Sequence, residues 1–264
     1  MPNDIEGGTR LEDVTNTQLT HIQIDNYGPW TVTPEPRREM DLQTLQSRLF
    51  ADLAQYVGYR GGYVFFTRFD NMVAVTNGLD AAAHDRLQES VDNRYPVSVS
   101  LGTAVSDSPI EALEVATEHV QSAGSAQDQS RREVLEGDYH TGLGDDDVAI
   151  AHFDVNDATG KYTDRLNEFD SFIRIESGYA SLMQYLREEY GGLSFFVGGD
   201  NVIGAVPDLD RAAYRDVIGH VSDDAGVELK VGVGRGPTAE EAGYAAKEAL
   251  EDCRYEGTRV EFAD

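Results

Sequence analysis

Two stretches of this chain carry the same pattern and decide its fold: GGYVFFTRFDN at residues 61–71 and GGLSFFVGGDN at residues 191–201. In each, an apolar run ends at an Asp-Asn pair, and a second apolar run follows directly. Apolar runs of this length on either side of a short polar turn are typical of a β-hairpin. The sequence therefore predicts the same hairpin twice, with Asp70 and Asp200 at the two turns.

Strands on either side of the hairpins extend the repeat. A short apolar segment precedes each hairpin and another follows it: HIQIDN (21–26) and VSVSLG (97–102) in the first half, AHFDVN (151–156) and LKVGVG (229–234) in the second. The offset is 129 residues from Asp25 to Asp154, 130 from Asp70 to Asp200 and 132 from Gly102 to Gly234. A nearly constant offset over three motifs predicts two homologous domains.

Helices complete each half as a βαββαβ unit. The first helix is expected to open at 33–36 (Thr-Pro-Glu-Pro) and to bury one face at helical spacing: Met40, Leu45, Leu49, Leu53 and Val57. Capping boxes at 108–111 and 238–241 predict the start of the last helix in each half. The predicted fold is α+β, with two tandem ferredoxin-like (palm) domains whose antiparallel sheets are backed by helices.

The remaining segments set the expected domain boundaries. Residues 1–18 lack apolar periodicity and are predicted to be a disordered extension, followed by a first domain at 19–121. Residues 122–147 are rich in Ser, Gly, Gln and Asp and are predicted to be a linker, followed by a second domain at 148–264.

The charge of the chain excludes several classes of function. Its 48 Asp and Glu residues against 18 Arg and three Lys give a formal net charge of −27. Such a chain has no sequence-independent affinity for nucleic acid, and an anionic membrane repels it. We find no membrane span or secretory signal and expect a cytoplasmic protein. Forty per cent hydrophobic residues argue against disorder, and the excess of carboxylates is typical of proteins from a salt-rich cytoplasm.

The repeated acids are the main candidates for chemistry. A strand ending at Asp25 beside a hairpin turn at Asp70 brings two carboxylates to one sheet edge, and the same holds for Asp154 and Asp200. Adjacent carboxylates are held together by a divalent cation, and hard oxygen ligands suit Mg²⁺ or Mn²⁺. The alternative is ordinary turn chemistry, since Asp and Asn favour turns. The single cysteine leaves no multi-cysteine zinc site.

Other residues near these acids have both structural and functional interpretations. The loop after each predicted strand, at 26–30 and 155–161, could present backbone N–H groups to an anion. Trp30 fits packing as well as base stacking, and His152 is expected to be a hydrogen-bonded core residue. Three arginines, Arg37, Arg38 and Arg68, fit bidentate phosphate contacts as well as a solvated surface.

The motif FVGGDN (196–201), after a strand ending in Phe153-Asp154, resembles the GGDEF and class III nucleotidyl cyclase palm domains. A closer resemblance is to archaeal GTP cyclohydrolase III, of a haloarchaeal type. It covers about residues 20 to 255 and rests on these strings: IQIDNYGPWTVTPEPRRE (22–39), LQSRLFADL (45–53), FFTRFDN (65–71), GSAQDQSRREVL (124–135) and GGDN (198–201). The resemblance implies hydrolysis of GTP with opening of the imidazole ring, a formamidopyrimidine monophosphate product, Mg²⁺ and K⁺ as cofactors, and a homo-oligomer.

The resemblance also implies roles for residues at matching positions. Metal ligands would be Asp154 and Asp200 with the backbone at Phe153 and Val155, and Asp25 and Asp70 would be the pair of the first domain. Implied substrate contacts are Asn156 and Asp157 at the guanine edge, Lys161, Arg37, Arg38 and Arg68 at the triphosphate, and Asn26, Tyr27, Asn71, Gly198, Gly199 and Asn201 around the two acid pairs.

Three functions remain open on sequence grounds. Asn201-Val202 stands where the GGDEF family has Glu-Phe, which removes a metal-ligating carboxylate and disfavours a diguanylate cyclase. A ring-opening hydrolase is the first interpretation, with a nucleotidyl cyclase and a non-catalytic GTP-sensing module as alternatives. Which domain holds the GTP, and which group is the base for attack at C8, are both left open.

Overall fold

A computed structural model describes residues 15–139 and 147–263. The first domain contains β1 (Thr17–Ile24), α1 (Tyr27–Val32), α2 (Glu39–Gly58), β2 (Tyr63–Phe66), β3 (Asn71–Val75), α3 (Ala81–Asp92), β4 (Val99–Ser106), α4 (Pro109–Ser122) and β5 (Leu135–Gly137). The second contains β6 (Val148–Val155), a π-helical turn at 159–163, α5 (Glu168–Tyr190), β7 (Leu193–Gly198), β8 (Asn201–Val206), α6 (Arg211–Ala225), β9 (Leu229–Gly236), α7 (Ala239–Glu256) and β10 (Val260–Phe262). None of the helices in these ranges is long and apolar enough to cross a membrane.

Each domain forms one five-stranded sheet backed by helices. The strand orders are β2-β3-β1-β4-β5 and β10-β9-β6-β8-β7. The four strands of each ferredoxin-like unit are antiparallel, and the fifth strand, β5 or β10, pairs in parallel with β4 or β9 at the sheet edge. The predicted α+β fold with tandem ferredoxin-like domains is confirmed, with one added parallel edge strand in each sheet.

The structure moves both predicted boundaries of the first domain. Strand β1 begins at Thr17, and Thr15 pairs with Asp147, so residues 15–18 belong to the folded domain and not to the predicted extension. Residues 1–14 of that extension lie outside the described residues. The predicted linker supplies β5, which completes the sheet of the first domain, and its residues 140–146 also lie outside the described residues.

The start of the first long helix also differs from the prediction. A short helix, α1, occupies residues 27–32, and α2 begins only at Glu39. Pro34 and Pro36 disfavour helical backbone at the residues before them, which delays α2 beyond the expected opening. Met40, predicted to be buried, is 62% exposed, and Leu42 takes its place on the buried face.

The caps of the final helices agree only in part with the predicted capping boxes. Thr238 is the N-cap of α7, and its Oγ1 accepts a hydrogen bond from the Glu241 backbone N–H at 3.2 Å. Ser108 is the N-cap of α4, with Pro109 at the first helical position, but its side chain makes no capping hydrogen bond.

Helices pack on both faces of each sheet, and glycines allow one close approach in each domain. Helices α2 and α3 cover one face of the first sheet, and α5 and α6 cover the matching face of the second. On the opposite faces, α4 lies over Gly102 and α7 over Gly232. A Cβ at Gly102 would lie 1.9 Å from the carbonyl oxygen of Ala116, and one at Gly232 would lie 2.2 Å from that of Ala246. No larger residue fits at either position without moving the helix.

The two domains pack against each other through equivalent surfaces. Phe65 and Phe195, at matching positions in the repeat, stack with ring centroids 4.4 Å apart and planes within 1°. The backbone N–H of Glu240 donates to the Gly61 carbonyl at 2.8 Å, and reciprocally that of Ile110 donates to the Gly191 carbonyl at 3.0 Å. The chain is thus a pseudo-symmetric pair of domains, with the two phenylalanine rings at its centre.

Candidate metal and nucleotide site

The strand register determines which residues of the two domains are equivalent. His21 lies opposite Gly102 and Val73, and His152 lies opposite Gly232 and Ile203. The structural offset along β1 and β6 is therefore 131 residues, and not the 129 that links Asp25 to Asp154.

The corrected register changes the pairing of the strand acids. Gln23 is the equivalent of Asp154, and both lie opposite an asparagine of the neighbouring strand, Asn71 or Asn201. Asp25 follows the last residue of β1 and is the equivalent of Asn156. The predicted correspondence of Asp25 with Asp154 was therefore wrong. Both acids lie on the same face of their sheets, but Asp25 is two residues beyond the position that matches Asp154.

The hairpin acids, in contrast, are equivalent as predicted. The carbonyl oxygen of Asp70 accepts a hydrogen bond from the Ile24 N–H at 2.9 Å, and that of Asp200 accepts one from the Val155 N–H at 3.3 Å. These matched bonds fix each hairpin turn against the end of the neighbouring strand.

The second domain brings two carboxylates into mutual electrostatic contact. Asp154 is buried and Asp200 is half-buried. Burial raises the pKa of Asp200, and the charge of Asp154 raises it further. Lys230 Nζ lies 3.8 Å and an Arg254 guanidinium nitrogen 3.1 Å from the Asp154 carboxylate. Both cations lower the pKa of Asp200 and so oppose this shift, whose net direction is upward.

The first domain satisfies its strand acid within the protein. The buried carboxylate of Asp25 accepts hydrogen bonds from the hydroxyls of Ser98 and Ser100 at 2.8 and 2.6 Å and from the Glu133 N–H at 2.9 Å. A guanidinium nitrogen of Arg131, whose side chain is 2% exposed, lies 3.2 Å away. These partners turn Asp25 toward residues 131–133 and satisfy its carboxylate within the protein.

The three lysines of the chain all lie in the second domain, around its acid pair and the loop that follows. Lys230 contacts Asp154, as described above. Lys161, in the π-helical turn after β6, pairs with Glu228, which also contacts Arg259 at 2.8 Å. Burial lowers the pKa of His152, and the nearby charge of Lys247 on α7 adds to that effect. In a chain with 48 acids, this concentration of cations favours an anionic ligand.

The loop after β6 places the predicted base contacts beside the acid pair. The backbone N–H of Asn156 donates to the Glu228 carbonyl at 2.7 Å, and Asp157 adopts a left-handed conformation with φ 58°. In the adjacent hairpin, Gly198 and Gly199 also have positive φ, 112° and 66°. The structure thus gathers the predicted site residues of the second domain around the end of β6 and the turn between β7 and β8: Phe153, Asp154, Val155, Asn156, Asp157, Lys161, Gly198, Gly199, Asp200 and Asn201.

The predicted arginines of the first domain line a separate cavity. Arg37 lies over the Trp30 ring at 3.9 Å, and Tyr27 stacks on the same ring with centroids 6.0 Å apart. Arg38 pairs with Asp41 at 2.8 Å in an exposed position. Trp30, Arg37 and Arg38 line a cavity of about 560 Å³, and an adjoining cavity of about 230 Å³ reaches Asp25 and Asn26. Arg68 lies on the exposed part of the first hairpin, beside Phe69 and Asp70.

The donor set of the second domain fits a hard divalent cation. It consists of the carboxylates of Asp154 and Asp200, which are oxygen ligands of the kind that Mg²⁺ and Mn²⁺ prefer. Within residues 15–139 and 147–263, no group of three or more His, Cys, Asp or Glu side chains is placed to hold a metal ion. A metal at this edge would therefore complete its coordination with backbone, water or substrate oxygens.

Sequence reasoning missed the cations that face the acids. Arg131 lies in the quoted string 124–135, but nothing in its spacing indicated that it pairs with Asp25. Lys230 lies opposite Asp154 in the register of β6 and β9, so a correct strand alignment would have found it. Arg254 comes from α7, and only the packing of that helix brings it to Asp154.

Comparison with known proteins gives one consistent family. The sequence profile of GTP cyclohydrolase III matches residues 19–262. A protein named GTP cyclohydrolase III from Halorubrum lacusprofundi is 67% identical over 250 residues, which cover 95% of this chain and 97% of that one. Proteins of the same name from Natronomonas pharaonis and Methanocaldococcus jannaschii are 68% and 46% identical, over 95% and 90% of this chain and 100% and 88% of theirs.

Two solved structures each match less than half of this chain. An EAL/GGDEF domain protein from M. capsulatus matches 45% of this chain and 85% of its own, with 16% identity and a TM-score of 0.38. The GGDEF domain of DgcB from Caulobacter crescentus matches 44% of this chain and 78% of its own, with 12% identity and a TM-score of 0.38.

Proposed function

The chain belongs to the GTP cyclohydrolase III family, and on that premise we propose that it opens the imidazole ring of GTP and hydrolyses the triphosphate. The product would be a formamidopyrimidine ribonucleotide monophosphate, 2-amino-5-formylamino-6-(5-phosphoribosylamino)pyrimidin-4(3H)-one, with release of two phosphates. The observation that carries the proposal is the pair Asp154–Asp200, whose like charges interact, beside a group of lysines and arginines.

We place the metal and the triphosphate in the second domain. Asp154 and Asp200 would hold Mg²⁺, or Mn²⁺, with backbone carbonyl oxygens near Phe153 and Val155. When bound, the ion supplies a positive charge that polarises phosphoryl oxygens. The first domain is less suited, because the Asp25 carboxylate already accepts hydrogen bonds from Ser98, Ser100 and the Glu133 N–H in addition to its contact with Arg131.

The cations around the acid pair would bind the phosphates. Lys230 and Arg254 contact Asp154 without substrate, and Lys161 contacts Glu228. A bound triphosphate would offer these side chains more negative charge and more acceptor oxygens than one carboxylate does, and charge-assisted bonds to phosphate are short and strong. Positive charge fixed along the triphosphate also stabilises the additional charge that develops during phosphoanhydride hydrolysis.

The loop after β6 would orient the base. Asn156 and Asp157 lie next to the acid pair and offer amide and carboxylate groups to the guanine edge, where a carboxylate accepts from N–H donors. Ring opening then requires water to add at C8 and the C8–N9 bond to break, which leaves the formyl group on N7. The base for this step stays unassigned.

Contacts of Arg37, Arg38 and Arg68 with the triphosphate stay predictions, as do the K⁺ requirement, the homo-oligomer and the cytoplasmic location.

Product analysis tests this function against its alternatives. The protein is incubated with GTP, Mg²⁺ and molar KCl, while purine absorbance, orthophosphate and pyrophosphate are measured. The ring-opening hydrolase predicts loss of the purine absorbance with two orthophosphates released per GTP. Pyrophosphate with an unchanged purine spectrum would refute it in favour of a nucleotidyl cyclase. Tight GTP binding without turnover would refute it in favour of a GTP-sensing module.

A further inference from the structure

A chain of hydrogen bonds links a histidine of β6 to the hairpin acid of the second domain. His152 Nε2 lies 2.9 Å from Asn201 Oδ1, across the β6–β8 ladder. Asn201 Nδ2 in turn donates to Asp200 Oδ1 at 3.1 Å. Asn201 directly follows Asp200 and opens β8, so this network joins the sheet to the carboxylate at the hairpin turn.

The charge of Asp200 fixes the direction of every bond in this network. A carboxylate only accepts hydrogen bonds, so the Asn201 amide must turn its NH₂ group toward Asp200. The Asn201 oxygen then faces His152, and because that oxygen also only accepts, the Nε2 of His152 must carry the hydrogen. The arrangement therefore requires a hydrogen on Nε2 of His152.

The first domain contains the same histidine and asparagine without the final bond. His21 Nε2 lies 2.8 Å from Asn71 Oδ1, and Gln23 Nε2 donates to the same oxygen at 3.0 Å. Asn71 Nδ2 is buried without a hydrogen-bond partner, so no bond reaches Asp70. His21 occupies the equivalent place in its sheet but orients no carboxylate, which makes it a built-in control.

We propose that His152 is a positioning residue that holds Asp200, through Asn201, in the orientation required for divalent-ion binding. The inference rests on the proposed function, in which Asp154 and Asp200 share a metal. Without a fixed partner, the half-buried Asp200 would turn toward solvent, because the charge of Asp154 repels it. The bond from Asn201 opposes that rotation, and His152 prevents the Asn201 amide from turning away. Residues that orient a metal ligand in this way contribute about 10- to 100-fold to metal affinity.

Binding of Mn²⁺ without GTP tests the proposal directly. The Mn²⁺ dissociation constant is measured by electron paramagnetic resonance of the free ion, for the wild type and for H152A, H152Q, H21A and D200N. We expect H152A to weaken Mn²⁺ binding about tenfold or more. H152Q should restore part of the affinity, because its amide NH₂ can replace the Nε2–H donor, and H21A should stay within twofold of the wild type.

Matched stability measurements separate orientation from folding. H152A and H21A each remove a histidine that lies within hydrogen-bond distance of an asparagine of the neighbouring strand. Similar losses of thermal stability with weaker Mn²⁺ binding in H152A alone would support the orienting role, and a folded H152A with full Mn²⁺ affinity would show that the role of His152 is purely structural. If H152A does not fold, N201L tests the same link by removing both bonds with a side chain of similar size.

Two further outcomes distinguish this proposal from the one it rests on. If D200N abolishes Mn²⁺ binding while H152A, or N201L in its place, binds like the wild type, the positioning role is wrong and the metal site stands. If D200N binds Mn²⁺ like the wild type, the proposed metal site fails and the positioning role fails with it.

Nitrogen-15 spectra should show His152 protonated at Nε2, and protonation at Nδ1 alone would overturn the hydrogen-bond directions proposed here.

Discussion

Replacing Arg131 by methionine is expected to destabilise the first domain strongly. Its guanidinium donates to Asp25 at 3.2 Å, to Gln23 Oε1 at 2.8 Å and to the Val120 carbonyl at 3.3 Å. The Arg131 and Asp25 side chains are only 2% and 1% exposed. The substitution keeps most of the apolar stem but leaves a buried carboxylate without its cation.

The structure sets the expected size of the effect. Removing one partner of a buried ion pair costs about 3–5 kcal/mol. Asp25 keeps three hydrogen-bond donors, from Ser98, Ser100 and Glu133, so we expect the lower end of that range, about 3 kcal/mol. For a chain of this size that corresponds to a decrease in Tm of roughly 6–12 °C. The double variant D25N/R131M should cost about 2 kcal/mol less than the sum of the single variants.

Thermal unfolding followed by circular dichroism in 3 M KCl measures this effect. Salt should not remove it, because a buried pair is screened far less than a surface pair. The adjacent Arg132 provides the control: its side chain is 52% exposed and 4.0 Å from Asp92, so R132M should cost less than about 1 kcal/mol. If R131M is no less stable than R132M, the Asp25–Arg131 pair does not stabilise the first domain.

Three further predictions concern packing and charge. F65A and F195A each remove one ring of the interdomain stack and should lower the free energy of unfolding, measured in urea, by about 3–5 kcal/mol. The double variant should lose less than the sum of the two single variants, and additive losses would show that the rings do not act together. G102A and G232A should each cost at least 1–3 kcal/mol, because the added methyl meets the backbone of α4 or α7, and unchanged midpoints would contradict the close approach. Because the pKa of Asp200 is raised, folding favours its protonated form, and its ionisation lowers stability as pH rises through that pKa. D200N should therefore raise Tm at pH 7 but not at pH 3, and a D200N variant that melts like the wild type at both pH values would contradict this.

Local signals in the sequence were sufficient for the fold class. The repeated hairpins and the period of the apolar residues correctly predicted two βαββαβ units, because strand alternation and turn chemistry are local properties. The edge strands were not predictable in this way. Strand β5 has only three residues, Leu135–Gly137, and forms because the segment before it is held against Asp25 by Arg131 and the Glu133 N–H.

The candidate site was predictable only as far as the hairpin acids. Asp70 and Asp200 stand at turns whose pattern is explicit in the sequence, and the structure makes them equivalent. The counterparts of the strand acids Asp25 and Asp154 could not be predicted from the sequence. A shift of two residues along a strand leaves a side chain on the same face of the sheet and the apolar alternation intact. Only the hydrogen-bond register distinguishes Gln23 from Asp25 as the counterpart of Asp154.

Comparison of D200N with D70N in the ring-opening reaction tests the central claim most directly. The two acids are equivalent in the repeat. The charge of Asp154 raises the pKa of Asp200, whereas the strand acid of the first domain, Asp25, is held by Arg131 and three hydrogen-bond donors. With GTP, Mg²⁺ and molar KCl, we expect D200N to lower kcat for loss of purine absorbance by about 100-fold or more, and D70N to lose far less. A D70N variant that is as inactive as D200N, or a D200N variant with normal kcat, would contradict a metal site built on Asp154 and Asp200.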